Sequence, residues 1–357
     1  MTTEPADLLV AHGGWPGILG TLTAGGDLSA EAAGAALGEI LAGRATDAQI
    51  AAFIVALRMK GETVDEVAGL VDAMLAAAAP IELPPGPDPV DIVGTGGGPS
   101  RRAHALNVST MASFVAGGAG ARVVKHGNRK ASSTSGSVDL LEALDVVVDL
   151  DGVGVAHCVE QAGVGFCFAR SFHPAMRHAG PVRSELGVPT VFNFLGPLSH
   201  PAGVTRQVVG VADGRLAPLV AGVLLERGAP RAMVVAGADG TDELTTTGPS
   251  EVHEIRDGQL GTFLVEPADL GLTVVDVAAV AGGDPVANAG ITRRVLAGEE
   301  GPYRDIVVLN AAAALVVAEV VDDLPAGLDA ARGSIDSGAA AEVLARLVTA
   351  SHEAARS

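Results

Sequence analysis

The stretch from Asp91 to Ser137 constrains the fold of this 357-residue chain more than any other. It opens with an apolar run, residues 90–93, that breaks into Gly94-Thr95-Gly96-Gly97-Gly98. The start of a helix follows at Asn107-Val108-Ser109-Thr110, and a second apolar run leads into Lys125-His126-Gly127-Asn128-Arg129-Lys130. A strand, a glycine loop and a helix N-terminus form a site for oxyanions, because free backbone N–H groups converge there. We therefore predict a phosphate site at the end of a strand.

The charge pattern supports a polyanionic ligand at this stretch. The chain has a formal net charge of −19, and its only lysines are Lys60, Lys125 and Lys130, so that two of the three fall in the motif. Attraction for a polyanion is thus concentrated at one place. The hydroxyls of Ser109 and Thr110 are placed to contact a phosphate or a metal in the first helical turn. The acidic balance elsewhere argues against nucleic acid and anionic membranes as partners.

The composition predicts a cytoplasmic protein with a packed core. Hydrophobic residues make up 48% of the chain and aromatic residues only 3%, a pattern that fits tightly packed helices and buried parallel strands. The chain shows neither a signal peptide nor an apolar stretch long enough to span a bilayer. Cys158 and Cys167 lack metal-site spacing and are expected to be buried thiols in a reducing compartment.

The sequence pattern of the first 88 residues predicts a small helical domain. Thr46-Asp47-Ala48-Gln49 and Thr63-Val64-Asp65-Glu66 each have the capping-box pattern before an apolar periodic run. Another helix is predicted to start near Ser29 and to end before Gly43. Prolines between residues 80 and 89 then mark a passage to a large domain, residues 89–357. Helices around residues 172–200 are expected to join the small domain.

From residue 90 onward, strands and helices alternate, which predicts an α/β fold with a mainly parallel sheet. Late in the chain, apolar runs flank Asp257-Gly258 and predict a hairpin, 252–255 with 261–265. Helices are predicted at 137–144, 153–162, 216–227, 305–320 and 338–350. The predicted strands are Val90–Val93, Arg122–Lys125, Val146–Asp149, Gly165–Ala169, Arg206–Val211 and Arg231–Ala236.

These motifs together resemble those of anthranilate phosphoribosyltransferase. Four motifs carry the resemblance in order: residues 94–97, 107–110, 125–129 and Ser132-Ser133-Thr134-Ser135-Gly136-Ser137. The loop matches neither the dinucleotide fingerprint nor the P-loop. The resemblance implies a nucleoside phosphorylase/phosphoribosyltransferase fold, with the small domain as the dimer interface and one wall of the active site. It also implies transfer of phosphoribosyl from 5-phosphoribosyl 1-diphosphate to the amine of anthranilate, with release of pyrophosphate.

The resemblance also implies the residues of each subsite. Anthranilate would contact Gly94, His126, Asn128 and Arg183, and Mg²⁺ would be bound by Ser109, Asp242 and Glu243. The phosphoribosyl donor would contact Gly94, Thr95, Gly96, Gly97, Gly98, Asn107, Val108, Ser109, Thr110, Lys125, His126, Gly127, Asn128, Arg129, Ser132, Ser133 and Ser137.

Chemistry gives Asp242, Glu243 and Arg183 a rationale that is independent of the resemblance. An acidic pair after a strand suits Mg²⁺, which is held by one or two carboxylates and substrate phosphates, although such a pair is more often a solvated turn. A planar guanidinium at residue 183 is a natural bidentate partner for the carboxylate of anthranilate, although a helical arginine is more often a surface residue.

The glycine loop departs from the family pattern. Gly98 stands where the family has an aspartate, Ala105 where it has a threonine, and the longer segment between Gly98 and Asn107 carries Arg101-Arg102. One hypothesis is that these arginines contact the donor diphosphate; the alternative is a solvated bend. For the whole chain, the alternatives are a pyrimidine nucleoside phosphorylase and a non-catalytic homologue that binds a phosphorylated ligand or nucleic acid.

Overall fold

A computed structural model describes residues 5–96, 105–129 and 134–356. The described part of the chain has 16 α-helices and seven strands, joined by short 3₁₀ turns. The helices are α1 (Pro5–Ala11), α2 (Gly14–Thr23), α3 (Ala30–Leu41), α4 (Asp47–Lys60), α5 (Val64–Ala76), α6 (Val108–Gly118), α7 (Ser137–Ala143), α8 (Gly152–Ala162), α9 (Ala169–Phe172), α10 (Gly180–Leu186), α11 (Phe192–Leu198), α12 (Ala217–Glu226), α13 (Pro285–Leu296), α14 (Pro302–Val317), α15 (Leu324–Asp336) and α16 (Ala339–Ala354).

The strands form one sheet in the order β3-β2-β1-β4-β5-β6-β7. The first five strands in this order are parallel, and the last two run antiparallel to their neighbours. This arrangement confirms the predicted α/β class. The strands are β1 (Val90–Gly94), β2 (Val123–Gly127), β3 (Val164–Phe168), β4 (Arg206–Gly210), β5 (Arg231–Gly237), β6 (Ser250–Arg256) and β7 (Gln259–Val265).

A hydrophobic core lies on each face of the sheet. Successive strand residues point to opposite faces, so Ile92 packs in one core while its neighbour Val93 packs in the other. The first core joins the sheet to α6–α8 and α13–α16. The second joins it to α1–α5 and α10–α12.

The helices from residue 179 to 198 share the second core with the N-terminal helices, and that core continues onto the sheet. The N-terminal helices α1–α5 therefore pack together with helices that are distant from them in the sequence. The domain division at residue 88 stays a prediction. No helix in the described ranges is long and apolar enough to cross a membrane.

Local sequence signals predicted the helix starts well. Both capping boxes form: Thr46 pairs with Gln49, and Thr63 with Glu66. Ser29 Oγ caps α3 by accepting from the N–H of Ala32 at 3.2 Å. The hairpin is also confirmed, because Asp257 and Gly258 both have the positive φ values that a tight two-residue turn needs.

One predicted strand is wrong, and two long helices late in the chain were not predicted. Residues 146–149 lie outside the sheet, where the N–H of Val147 donates to Ser351 Oγ on α16 at 3.0 Å. Val146 and Val148 alternate with less buried residues because they pack against helices, so the two-residue period does not mark a strand here. The helices α13 and α15, which were not predicted, begin at prolines or one residue before them and carry acidic caps, Asp284 and Asp323.

The strand order creates a switch point between β1 and β4. From β1 the chain continues through α6 to β2 on one side, and from β4 it continues through α12 to β5 on the other. The loops that leave the carboxyl ends of these two strands therefore diverge and leave a crevice between them. Ligands of open α/β sheets bind in such crevices.

Candidate active site

A cavity of about 850 Å³ occupies this crevice. Loops after β1, β2, β3 and β5 form one side, and the segment from residue 173 to 197 forms the other; Met74 of α5 also lines it. Of the predicted site residues, the lining includes Gly94, Thr95, Gly96, Asn107, Ser109, Thr110, Lys125, His126, Gly127, Asn128, Arg129, Ser137, Arg183, Asp242 and Glu243.

The glycine loop and the acidic pair meet directly. The N–H of Gly96 donates to Asp242 Oδ2 at 2.7 Å. A Cβ at Gly94 would overlap the Asp242 carboxylate, and a Cβ at Gly210, at the end of β4, would overlap the Asp242 carbonyl oxygen. Both positions need glycine because the loop after β5 crosses immediately above these two strand ends. The sequence placed these motifs 146 residues apart, and the sheet brings them into contact.

Asn107, the residue before α6, and Ser109 in its first turn both line the cavity, so the partial positive charge of this helix N-terminus lies at the cavity wall. The Asn107 side chain does not cap this helix. Instead, its Nδ2 donates to the carbonyl of Ser135 at 3.2 Å, and its Oδ1 accepts from Ser135 Oγ at 2.9 Å. These bonds fix the end of α6 against the chain before α7. Val108 is fully buried in the first core, so its contact with a ligand could only be through its backbone.

Lys125 is buried beneath the cavity floor, with 2% of its surface exposed. Its Nζ donates to the carbonyl oxygens of Ile92 at 2.6 Å and His126 at 3.2 Å. Burial lowers the pKa of Lys125, while attraction to Asp91, Asp242 and Glu243 opposes that shift. Burial likewise raises the pKa of Asp91 to about 7 against the attraction of Lys125. The ammonium thus acts on the site through its field and by fixing the ends of β1 and β2.

His126 is the centre of a buried histidine cluster. Its ring lies 5.3 Å from that of His173 and 5.7 Å from that of His200, measured between centroids. Nδ1 lies 3.0 Å from the carbonyl of Gly196, which identifies Nδ1 as the protonated nitrogen. Burial and the two neighbouring rings lower the pKa of His126 well below its ordinary value. His126 is therefore a neutral ring at the boundary between the two sides of the cavity.

Arg129 differs from the other residues of its motif. Its guanidinium makes two hydrogen bonds of 2.6 Å to the Glu142 carboxylate and lies over the Phe168 ring. Asn128 remains exposed at the cavity, with its Oδ1 accepting from the N–H of Arg129 at 2.8 Å. Contact of Arg129 with the donor stays a prediction, and it would require the guanidinium to share or leave Glu142.

Arg183 is on α10, in the segment from residue 173 to 197 that lines the cavity. Its guanidinium lies 5.2 Å from the centre of the Phe192 ring, and it has neither an ion pair nor a hydrogen bond to any residue that the structure describes. Burial lowers the pKa of Arg183 from its ordinary value. A half-buried guanidinium that has no carboxylate partner in the described ranges is a ready site for a ligand carboxylate.

The donor set suits a hard cation. Asp242 and Glu243 supply carboxylate oxygens and Ser109 a hydroxyl, all lining the same cavity. Within the described ranges, no group of three or more His, Cys, Asp or Glu residues is arranged to enclose a metal. This open, oxygen-only set fits Mg²⁺, which is usually held by one or two carboxylates and substrate phosphates rather than by a complete protein cage.

Several predicted residues lie outside the described ranges. They are Gly97, Gly98, Ser132 and Ser133 of the donor set, together with Arg101, Arg102 and Lys130. The hypothesis that Arg101 and Arg102 contact the diphosphate therefore stays a prediction.

The structure also adds lining residues that sequence reasoning missed. Arg170 follows β3, and Arg177 lies in the 3₁₀ turn before α10, so two further guanidinium groups lie at the cavity. Arg177 donates to the carbonyl of Pro174 at 3.3 Å. The position of Arg170 directly after an apolar strand was the one signal that could have identified it.

Family profiles match nearly the whole chain. The profile "Glycosyl transferase family, helical bundle domain" matches residues 16–78, and "Glycosyl transferase family, a/b domain" matches residues 86–341. An anthranilate phosphoribosyltransferase from a Nocardioides species is 53% identical over 341 residues, covering 94% of this chain and 98% of the relative. The Arthrobacter protein of the same name is 52% identical over 352 residues, covering 97% and 98%.

Solved structures show the same similarity. The crystal structure of anthranilate phosphoribosyltransferase from Thermus thermophilus superposes with a TM-score of 0.88 at 40% identity, covering 94% of this chain and 99% of that one. The Saccharomyces cerevisiae protein, solved in complex with PRPP and Mg, has a TM-score of 0.84 at 29% identity and covers 98% of each chain.

Proposed function

The chain belongs to the anthranilate phosphoribosyltransferase family, and on this premise we propose how its cavity serves the family's reaction. The enzyme transfers the phosphoribosyl group of 5-phosphoribosyl 1-diphosphate to the amine of anthranilate. The products are N-(5-phosphoribosyl)anthranilate and pyrophosphate, in tryptophan biosynthesis. The observation that carries the residue assignment is that Arg183, which has no ion pair or hydrogen bond to a described residue, lines the same cavity as the phosphate-binding motifs.

The donor binds against the loops at the strand ends. The loop at Thr95 and Gly96, the N-terminus of α6 and Asn128 contact its phosphates and ribose, because they line the cavity with small polar groups and the partial positive charge of a helix start. Lys125 adds positive potential from beneath, and Ser137 completes the wall after β2. The donor contacts of Gly97, Gly98, Ser132 and Ser133 are part of this proposal through their family positions.

Mg²⁺ would be held by Ser109, Asp242 and Glu243 together with donor oxygens. When bound, the cation neutralises negative charge that develops on the departing pyrophosphate. The structure supports this assignment with an oxygen-only donor set and with the bond from the N–H of Gly96 to Asp242 Oδ2. That bond fixes one carboxylate next to the donor loop.

Anthranilate binds on the Arg183 side. Its carboxylate pairs with the guanidinium, which is already stacked on Phe192 and loses little freedom on binding. Its ring lies near Gly94, Asn128 and His126, and the neutral imidazole of His126 packs against it without attracting a competing anion. This pose directs the amine toward the donor side.

The chemistry needs little activation of the nucleophile. An aromatic amine is neutral at pH 7, so its lone pair attacks C1 as the bond from C1 to the pyrophosphate oxygen breaks, and the nitrogen then loses one proton to pyrophosphate or solvent. Negative charge develops on the leaving group, and the partial positive charge at the N-terminus of α6 is in place before that charge develops. Most of the acceleration then comes from holding donor and acceptor at reacting distance.

One assay tests the proposal against its alternatives. Pyrophosphate release should require both anthranilate and Mg²⁺, and thymidine or uridine should not be cleaved in the presence of phosphate. Phosphate-dependent nucleoside cleavage would identify a pyrimidine nucleoside phosphorylase instead. Binding of the phosphoribosyl donor without either turnover would identify the non-catalytic homologue.

We also propose that the chain forms a homodimer through its helical segment and works in the cytoplasm. Val10 and Met59 on the N-terminal helices are 74% and 83% exposed, which supports a contact surface there. The free, buried thiols of Cys158 and Cys167 are typical of proteins in a reducing compartment. Light scattering tests the dimer: replacing Val10 and Met59 by lysine should shift the mass from dimer to monomer.

A further inference from the structure

Two buried asparagines lie behind the cavity wall, and neither is among the residues that line it. Asn288 on α13 has none of its surface exposed, and Asn310 on α14 has 2% exposed. Burying an amide is costly unless its hydrogen bonds are made. Both side chains make those hydrogen bonds with loops of the active site.

Asn288 holds the segment that leads into α6. Its Nδ2 donates to the carbonyl of Ala105 at 2.8 Å and to Asn107 Oδ1 at 2.9 Å. Its Oδ1 accepts from the N–H of Gly283 at 2.8 Å, which anchors the amide to its own helix start. A Cβ at Gly282 would overlap the Ala105 carbonyl, so the backbones on the two sides of this contact also touch.

Asn310 holds the loop of the acidic pair. Its Oδ1 accepts from the N–H of Leu244 at 3.1 Å, and its Nδ2 donates to the carbonyl of the same residue at 2.8 Å. A further bond from Nδ2 to the carbonyl of Ile306 at 2.9 Å fixes the amide on α14. Leu244 directly follows Asp242 and Glu243. The two hydrogen bonds to its backbone therefore fix where the backbone of the acidic pair leaves the sheet.

We propose that Asn288 and Asn310 are positioning residues with separate duties, Asn288 for the donor-binding end of α6 and Asn310 for the carboxylate loop. These separate roles rest on the proposed function, which assigns the phosphoribosyl donor to the start of α6 and both carboxylate ligands of Mg²⁺ to the loop after β5. The physical reason is that each amide bridges a rigid helix and a loop that lacks strand or helix bonds of its own at that point. Neighbouring side chains of this kind set ligand geometry without touching the ligand.

Replacing each asparagine by leucine, which has a similar size, separates the two positioning roles. In Asn288→Leu, the KM for the phosphoribosyl donor should rise about tenfold or more. Mn²⁺ affinity, read from the electron paramagnetic resonance of free Mn²⁺ with pyrophosphate present, should fall far less than in Asn310→Leu, because α6 supplies only the Ser109 hydroxyl to the cation. In Asn310→Leu, Mn²⁺ affinity should fall about 10–100-fold, and the donor KM at saturating Mg²⁺ should stay close to the parent value. Each variant is the matched control for the other.

Hydrogen exchange gives a readout that does not depend on the assigned ligands. Exchange should rise at residues 105–113 in the Asn288 variant and at 239–249 in the Asn310 variant. Thr292→Val is a further control, because the Thr292 hydroxyl donates only within α13, to the carbonyl of Asn288 at 2.8 Å. It should leave both loops and both ligand affinities unchanged. If a leucine variant does not fold, the milder serine replacement at the same residue is measured instead.

Equal effects of the two asparagine variants on both loops, or effects matched by Thr292→Val, would overturn the inference. If the parent enzyme neither turns over anthranilate nor binds Mn²⁺, the proposed function fails on its own. The exchange data would still decide whether each amide orders its own loop. A double replacement of Asn107 and Asn288 supplies the last check: the two effects on donor KM should not add, since they act through one contact.

Discussion

The two sides of the cavity differ in how their polar groups are paired. On the donor side, the polar groups bond to each other across loops: Gly96 to Asp242, and Asn107 to Ser135. On the acceptor side, the Arg183 guanidinium stacks on Phe192 and has no polar partner among the residues that the structure describes. The donor side is thus an organised network, whereas the acceptor side presents the guanidinium groups of Arg177 and Arg183 beside apolar residues such as Phe192.

This difference matches the two substrates. A diphosphate presents many oxygens and develops charge during the reaction, so a fixed array of donors that need not reorganise is the effective design. Anthranilate is a flat ring with one carboxylate, and a guanidinium beside apolar residues gives it both affinity and orientation. Changes on the donor side should therefore affect turnover, and changes on the acceptor side should affect anthranilate affinity.

The largest expected effect comes from neutralising the acidic pair. Asp242→Asn combined with Glu243→Gln should lower turnover at least about 10³-fold, because the oxygens that hold Mg²⁺ lose their charge. Mn²⁺ binding should be lost in the same variant while the thermal unfolding profile remains cooperative. Full activity at limiting Mg²⁺ would contradict the metal assignment.

A glycine comparison tests whether the donor side depends on fixed geometry. Gly210→Ala would push the Asp242 backbone away from β4, and a displacement of about 1 Å can cost about 10²-fold in rate. Gly214→Ala is the matched control, since its Cβ would meet only the Ala236 Cβ at an ordinary 3.5 Å. Steady-state kinetics of the two variants should differ sharply in kcat. Equal kinetics would show that the donor side tolerates displacement.

On the acceptor side, Arg183→Ala should raise the KM for anthranilate about 10–150-fold, the equivalent of losing a charge-assisted bond of about 1.5–3 kcal/mol. The donor KM should change little, because the proposed pose pairs the guanidinium with anthranilate and not with the donor. Arg183→Lys should restore only part of the affinity, since an ammonium cannot make the bidentate contact. An unchanged anthranilate KM in the alanine variant would argue against this role.

The smallest effect concerns the folding stability contributed by the buried histidine cluster, in which His200 packs beside His126 and His173. Its Nε2 lies 2.8 Å from the carbonyl of Val124, and Nδ1 accepts from the N–H of Ala202, so both nitrogens are used in the neutral form. Burial lowers the pKa of His200 from 6.5 to about 4. Between these values the unfolded chain binds a proton that the folded chain does not, and stability falls as pH falls.

The expected loss from this one group is about 3 kcal/mol by pH 4, with activity at neutral pH unaffected. His200→Gln keeps a neutral donor toward Val124 and should flatten the fall in unfolding free energy between pH 6.5 and 4. His157, which lies at the surface near Glu353, provides the control replacement. If His200→Gln leaves the pH slope of the unfolding free energy unchanged, His200 does not cause it.

Sequence reasoning succeeded where the signal is local. Thr46 with Gln49, the turn at Asp257-Gly258 and the strand that ends at Gly94 are each encoded within a few residues. It failed at residues 146–149, where one-sided burial against helices has the same period as a half-buried strand. Periodicity reports which side chains are buried and not what covers them.

The candidate site divides in the same way. The sequence by itself identified the motifs at the strand ends, because glycine loops, helix starts and acidic pairs have a chemistry that can be read from neighbouring residues. Only the tertiary structure decided that Arg129 pairs with Glu142, that Lys125 turns to the Ile92 carbonyl, and that Asn288 and Asn310 support the loops. Asn288 meets Ala105 across 183 positions, and such a contact depends on the strand order and the helix packing, which no local pattern records.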